Sequence, residues 1–277
     1  MLKQRVLTAI ILVPLVIGGI FALTALQFSI ILALFVLLGA WEWTRLVKLD
    51  SLPQRLSYLF VLSLLLIACS YLRIFDGFLF ALLGISVIWW LANIRFLISF
   101  RESQCQLTQQ GWGWGHLGQG LMLLIPAWLS LVVIHSQPQH GPWLLLYLMV
   151  LIWVADSGAY FSGRKWGRNK LAPHVSPGKT REGLYGAVTL CLLFSVLAVF
   201  GFDFGWLTGL FFVVLSMITV VFSVLGDLLE SAYKRRAGVK DSGAILPGHG
   251  GILDRIDSMT AAAPVFALGL GVMELMV

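Results

Sequence analysis

The stretch from Trp206 to Arg236, WLTGLFFVVLSMITVVFSVLGDLLESAYKRR, changes character at Gly226. Up to that point it carries no charge, and a membrane-spanning helix needs roughly 20 mostly apolar residues, so residues 205 to 226 are expected to cross a bilayer. Beyond it come Asp227, Glu230, Lys234, Arg235 and Arg236. The helix is expected to continue into them, because Asp227, Glu230, Ser231 and Lys234 stand at i, i+3, i+4 and i+7, one helical face.

The rest of the chain repeats the apolar half of that pattern. Of 277 residues 59% are hydrophobic and 12% charged, with mean hydropathy +0.91, whereas soluble domains carry about 25% charged residues. No soluble fold of this size hides that much apolar surface, so the expected class is an all-α polytopic membrane protein. Apolar runs and their interruptions place nine helices at about 6 to 26, 28 to 44, 56 to 72, 77 to 94, 119 to 135, 143 to 163, 184 to 202, 205 to 226 and 259 to 276. The first run follows Lys3 and Arg5 but is too long for a signal-peptide core, so a retained helix is expected. The second is short for a bilayer and carries Glu42 near its end, which points to a tilted or partly interfacial helix. The division expected is residues 1–142 with about five spans, then 143–277 with two cytoplasmic loops, 164–183 and 227–258.

Basic loops are retained in the cytoplasm. With the N-terminus cytoplasmic, the nine-helix scheme places eighteen of the nineteen lysines and arginines on that side and only Arg73 outside. The net charge of +6 is thereby concentrated on one face, where it meets anionic lipid or a polyanionic substrate. Cys69, Cys105 and Cys191 are scattered and give neither a disulfide framework nor a thiolate metal site.

The last two basic loops hold more than topology requires. In the second, Pro247-Gly248-His249-Gly250-Gly251 is a glycine turn whose backbone N–H groups can approach a phosphate closely. Asp254 and Asp257 follow, one helical turn apart, with Arg255 between them. Mg²⁺ is held by one or two carboxylates with phosphate oxygens and water, and Asp227 and Asp254 supply carboxylates from two elements. Lys234, Arg235, Arg236, Lys240 and Arg255 supply the opposite charge for a triphosphate. Ahead of the first loop, Asp156 follows eleven apolar residues of the sixth span, and an ionisable group at such depth is a functional candidate. Pro177-Gly178-Lys179-Thr180 invites comparison with a P-loop, but position 173 is Pro173 where that motif needs glycine. Ser176, Lys179 and Thr180 are therefore expected to form a phosphate-contacting turn beside the membrane. No serine triad, CxxC or HExxH site is present in the sequence.

The run Ser231-Ala-Tyr-Lys-Arg-Arg236, then Lys240-Asp241, then Leu246-Pro-Gly-His-Gly-Gly-Ile-Leu-Asp-Arg-Ile-Asp257 resembles the signature of phosphatidate cytidylyltransferases, or CDP-diacylglycerol synthases. Ala155-Asp-Ser-Gly-Ala-Tyr160 and Ser176-Pro-Gly-Lys-Thr-Arg-Glu-Gly183 resemble other recurrent segments of the family, with Ser157 where threonine is expected. The resemblance implies that CTP and phosphatidate give CDP-diacylglycerol and pyrophosphate with Mg²⁺, and with a monovalent cation such as K⁺ in some members. It implies a homodimer and a site facing the cytoplasm; the short N-terminus and absence of soluble extensions suit a bacterial inner membrane, and no nucleic-acid partner is expected. The residues it implies as catalytic are Asp227, Lys234, Asp254 and Asp257, with Asp227 and Asp254 as metal ligands. The substrate-binding set is Asp156, Ser176, Lys179, Thr180, Ser231, Arg235, Lys240, His249, Gly250, Gly251 and Arg255. A CTP-dependent lipid kinase, or a cytidylyltransferase for another lipid, would use the same apparatus. A transporter would show inverted repeats, and the sequence has no internal repeat. Of single changes, Lys234→Ala is expected to weaken CTP use far more than folding.

Overall fold

The computed structural model describes residues 2–49, 51–101, 114–245 and 250–275, with backbone alone at 2–9, 11 and 114. Among these residues are nine helices and one two-stranded hairpin. The order is α1 (Leu2–Ala22), α2 (Ala25–Leu46), α3 (Leu52–Leu72), α4 (Asp76–Ser99), α5 (Trp114–His135), α6 (Gly141–Trp166), β1 (Lys170–Ala172), β2 (Ser176–Thr180), α7 (Arg181–Gly201), α8 (Trp206–Ala237) and α9 (Leu253–Glu274). Eight of the helices are long and apolar enough to cross a membrane, and α1 contributes the apolar segment Leu12–Ala22.

The helices generally outlast the apolar runs that announce them. Backbone hydrogen bonding does not stop where hydropathy falls, so polar first and last turns are added at the ends. The extension is largest in α8, whose 32 residues rise about 48 Å against a hydrocarbon core of about 30 Å. The helix stops at Gly238, whose φ of 76° is the left-handed conformation that ends helices. Other boundaries are set by side chains: Thr24 and Gln27 form a capping box on α2, Ser51 caps α3 with Pro53 in the first turn, and Thr180 caps α7.

Helix α9 lies at the centre, with Ala261, Ala262, Ala263 and Phe266 fully buried, and one hydrophobic core runs continuously from α1 to α9 across residue 142. Small residues bring the backbones together where helices touch, as expected when apolar lipid gives no hydrophobic drive for helix association. A Cβ at Gly158 in α6 would lie 3.0 Å from the Gly186 carbonyl in α7, and one at Gly226 in α8 would overlap the Asp257 carbonyl in α9. Outward faces of the same helices expose Leu, Ile and Phe, such as Phe60, Ile88 and Leu197.

Two expectations are corrected. Helix α2 has 22 residues, about 33 Å, enough to span, and Glu42 is wholly buried rather than drawn to an interface. Its carboxylate is satisfied inside the protein, as described below. The segment Ser176–Thr180 is a strand and not a turn: β2 pairs antiparallel with β1, Lys170 opposite Thr180 and Ala172 opposite Ser176. Glu182 holds the start of the hairpin by accepting from the Arg168 and Asn169 backbone N–H groups and the Asn169 amide. Val175 at the hairpin tip is buried with Phe100, Leu228 and Ala232, which seats the hairpin on α8.

Both polar loops therefore lie at one end of the bundle, where α2, α4, α6 and α8 end and α3, α5, α7 and α9 begin. Contacts across that end tie the elements together. Trp43 Nε1 donates to the His116 carbonyl at 3.1 Å, Tyr58 donates to the Leu117 carbonyl at 3.2 Å, and Trp43 packs on Tyr233 with ring centroids 4.6 Å apart. At the far end His135 Nε2 meets the Ile20 carbonyl at 2.9 Å, and Gln137 donates to Glu274 at 2.8 Å.

Candidate active site

The polar continuation of α8 and the first turn of α9 face each other because Gly226 lets the helices approach. On α8, Asp227 accepts a hydrogen bond from Ser231 Oγ at 3.2 Å and an ion pair from Lys179 Nζ of β2 at 2.6 Å. The hairpin thus delivers its lysine to an acid on the long helix. Seven residues further along α8, Lys234 Nζ lies 2.6 Å from Glu230 Oε2 on its own helix and 2.6 Å from Asp254 Oδ1 on α9. Asp254 is almost fully engaged, since its other oxygen accepts from the backbone N–H groups of Ser242 at 2.9 Å and Gly251 at 2.8 Å. Asp257, one turn deeper, accepts from the Ser258 N–H at 2.7 Å. It is near enough to Asp227 for like-charge repulsion and near enough to Lys234 and Lys179 for attraction. Asp156 of α6 interacts in the same way with Asp227 and Lys179.

The structure therefore gathers Asp156, Lys179, Asp227, Ser231, Lys234, Gly251, Asp254 and Asp257 from α6, β2, α8, the α8–α9 loop and α9. The other residues singled out in the sequence stand differently. Thr180 is buried, and its hydroxyl accepts from the Gly183 N–H at 3.1 Å as the cap of α7. Ser176 is half-buried on β2. Arg235 Nε donates to the Val175 carbonyl at 3.3 Å, tying α8 to the hairpin. Lys240 is exposed on the loop after α8, and Arg255 is exposed on the first turn of α9. Gly250 adopts φ 82°, where a side chain would be strained. His249 lies outside the described residues.

Two acids enter that sequence reasoning left aside. Glu230 was placed on the polar face of α8 without a role, yet it is buried to 1% exposure and shares Lys234 with Asp254. Glu42 comes from the half of the chain where only hydropathy was legible, and it accepts from Ser242 Oγ and from the backbone N–H groups of Ile252 and Leu253. The available signal was its charge at the end of an apolar run, which is costly in a bilayer and marks function by default.

The site also offers donors to a divalent cation. Its donors are hard carboxylate oxygens, the set Mg²⁺ prefers. An ammonium group stands against each of Asp227 and Asp254 at 2.6 Å, in the position of a counter-cation. Among the described residues no three His, Cys, Asp or Glu side chains form a ready-made metal cluster. The donor chemistry fits such a cation.

Fold and site together define a polytopic membrane protein with acids, lysines and glycines interleaved at one end of its helices. Within that class the chain belongs to the cytidylyltransferase family, whose sequence model matches residues 3–273. It is 44% identical over 267 residues to a phosphatidate cytidylyltransferase of Pseudomonas aeruginosa, covering 96% of each chain. It is 41% identical to that of Haemophilus influenzae over 96% of this chain and 98% of the other, and 34% identical to that of Staphylococcus haemolyticus over 95% and 97%.

Proposed function

We propose that this chain transfers the cytidylyl group of CTP to phosphatidate, giving CDP-diacylglycerol and pyrophosphate for phospholipid synthesis. The observation that carries the reading is the pairing of Lys179 with Asp227 and Lys234 with Asp254 at one end of the bundle, in a chain similar to phosphatidate cytidylyltransferases over nearly its whole length.

In the reaction a phosphate oxygen of phosphatidate attacks the α-phosphorus of CTP, a new P–O–P bond forms, and the α–β bond breaks with its electron pair leaving on pyrophosphate. A phosphate monoester has its second pKa near about 6, so the nucleophile is already ionised at neutral pH and needs no strong general base. The barrier to lower is repulsion between two polyanions. Positioned cations and aligned substrates do most of that work in phosphoryl chemistry. Lys179 and Lys234 exchange carboxylate partners for phosphate oxygens as substrates bind, and Lys240, Arg235 and Arg255 extend the positive field. The backbone N–H of Gly250 approaches the phosphates while Gly251 gives its own to Asp254, His249 is their neighbour in sequence, and Ser176 and Ser231 offer hydroxyls at the edges. Asp227 and Asp254 are the residues that would hold Mg²⁺, with Asp257 close by; when bound it neutralises charge on the triphosphate and on the leaving pyrophosphate. Asp156 faces the same acid–lysine pair from α6, where diacyl tails can stay in hydrocarbon while the head group reaches the site.

The same reading places the charged end on the cytoplasmic face of a bacterial inner membrane, because basic segments are retained there, and the enzyme as a homodimer. The test is to supply purified protein in detergent with Mg²⁺, phosphatidate and CTP labelled in the base. Label appearing in a lipid confirms cytidylyl transfer. A phosphorylated lipid without cytidine would instead establish a CTP-dependent kinase and overturn the reading.

A further inference from the structure

The loop that leads from α8 into α9 is gripped from outside by a residue of the N-terminal half. Glu42 sits on the last turns of α2 with 0% exposure. One carboxylate oxygen accepts from the Ile252 N–H at 3.0 Å, and the other from the Leu253 N–H at 2.8 Å and Ser242 Oγ at 2.9 Å. The first amides of a helix have no partner within it and need one from elsewhere. In α9 the cap residue, Ile252, makes no side-chain capping bond, so the cap comes in trans from α2.

The arrangement reaches further than a cap. Ser242 gives its hydroxyl to Glu42 and its backbone N–H to Asp254, while Asp254 also takes the Gly251 N–H. Two acids on different helices therefore clamp both ends of the segment 242–251. Space confirms the fit, since a Cβ at Gly243 or at Gly251 would overlap the Glu42 carboxylate. Gly243 excludes a side chain because Glu42 occupies the room, and Gly251 because Ser242 Oγ and Glu42 together do. Asp254 is left with one oxygen toward Lys234.

We propose that Glu42 is a positioning residue for cytidylyl transfer: from α2 it fixes Ser242 and the start of α9, and so sets where Asp254 and the Gly250 backbone meet the nucleotide. The proposal rests on the reaction assigned above. It also accounts for an acid held inside a membrane bundle, where such a group is retained only with hydrogen-bond partners.

Glu42→Gln, Glu42→Asp and Ser242→Ala, purified in detergent, separate positioning from mere stability. Glutamine keeps the size but turns an NH₂ group against one of two backbone donors, and aspartate is one methylene short. Both should raise KM and Kd for CTP by about 10- to 100-fold, the size of one lost hydrogen bond to a charged group, with KM for phosphatidate changed far less. Ser242→Ala should act in the same direction but less, and its effect should vanish when Glu42 is already replaced. Hydrogen exchange at the amides of Gly251, Ile252 and Leu253 should quicken in the Glu42 variants. A purely structural residue would lower the folded fraction and leave KM and Kd of the folded protein unchanged. That result, or unchanged protection at 251–253, overturns the proposal. Failure of the assigned reaction is a different result: wild-type protein would form no cytidylyl lipid, while CTP binding and amide exchange, which need no turnover, would still report on the clamp.

Discussion

Lys234 is the residue whose meaning changes most between chain and fold. As a basic residue on the polar face of α8 it reads as a triphosphate ligand, but it lies between Glu230 and Asp254, 2.6 Å from each, with 12% of its side chain exposed. Removing one partner of a buried ion pair leaves the other uncompensated and costs about 3–5 kcal/mol. Lys234→Ala should therefore lose thermal stability as well as CTP use, in contrast to the sequence-based expectation, and a melting curve in detergent measures it. Adding Glu230→Gln to Lys234→Met should recover much of the melting temperature and none of the turnover. Asp227→Asn and Asp254→Asn should each cut turnover by about 100-fold or more, as expected for groups that manage transition-state charge. Both should still insert into the membrane, because the apolar spans are untouched, and normal activity in either would remove its metal role.

Among elements, the contact of α8 with α9 decides whether the acids meet. The approach at Gly226, with the Asp257 carbonyl and Ala261 against the place a Cβ would take, is what sets Asp227 beside Asp257. Gly226→Val should force the helices apart, lowering both melting temperature and activity. Gly84→Ala, at a helical glycine with open space around its Cβ position, should be silent or slightly stabilising, by up to about 1 kcal/mol. A parallel pair of melting curves distinguishes them. The hairpin shows the converse: no periodicity announces strands of three and five residues, since their pairing is fixed by Glu182 and by Val175 seated on α8.

For the whole molecule, the lysines and arginines from Arg45 to Arg255, Arg73 apart, belong to the helix ends, hairpin and loops on the side of the bundle that holds the site. The cytoplasmic assignment predicts that a cysteine at Lys240, in a background with Cys105 replaced by serine, is labelled by an impermeant thiol reagent only in inside-out vesicles. A cysteine at Arg73 should be labelled only in the opposite orientation, and the reverse pattern would invert the topology. The sequence by itself determined the all-α membrane class and which charged residues stand out against it, Asp227, Lys234, Asp254 and Asp257 among them. Those depend on local quantities: apolar run length, charge placement and spacing within one helix turn. Only the tertiary structure decided that Lys179 belongs to Asp227, that Thr180 caps a helix, and that Glu42 reaches residues some two hundred positions away. Such pairings are created when helices pack, and nothing in the spacing along one strand of chain encodes which neighbour will stand opposite.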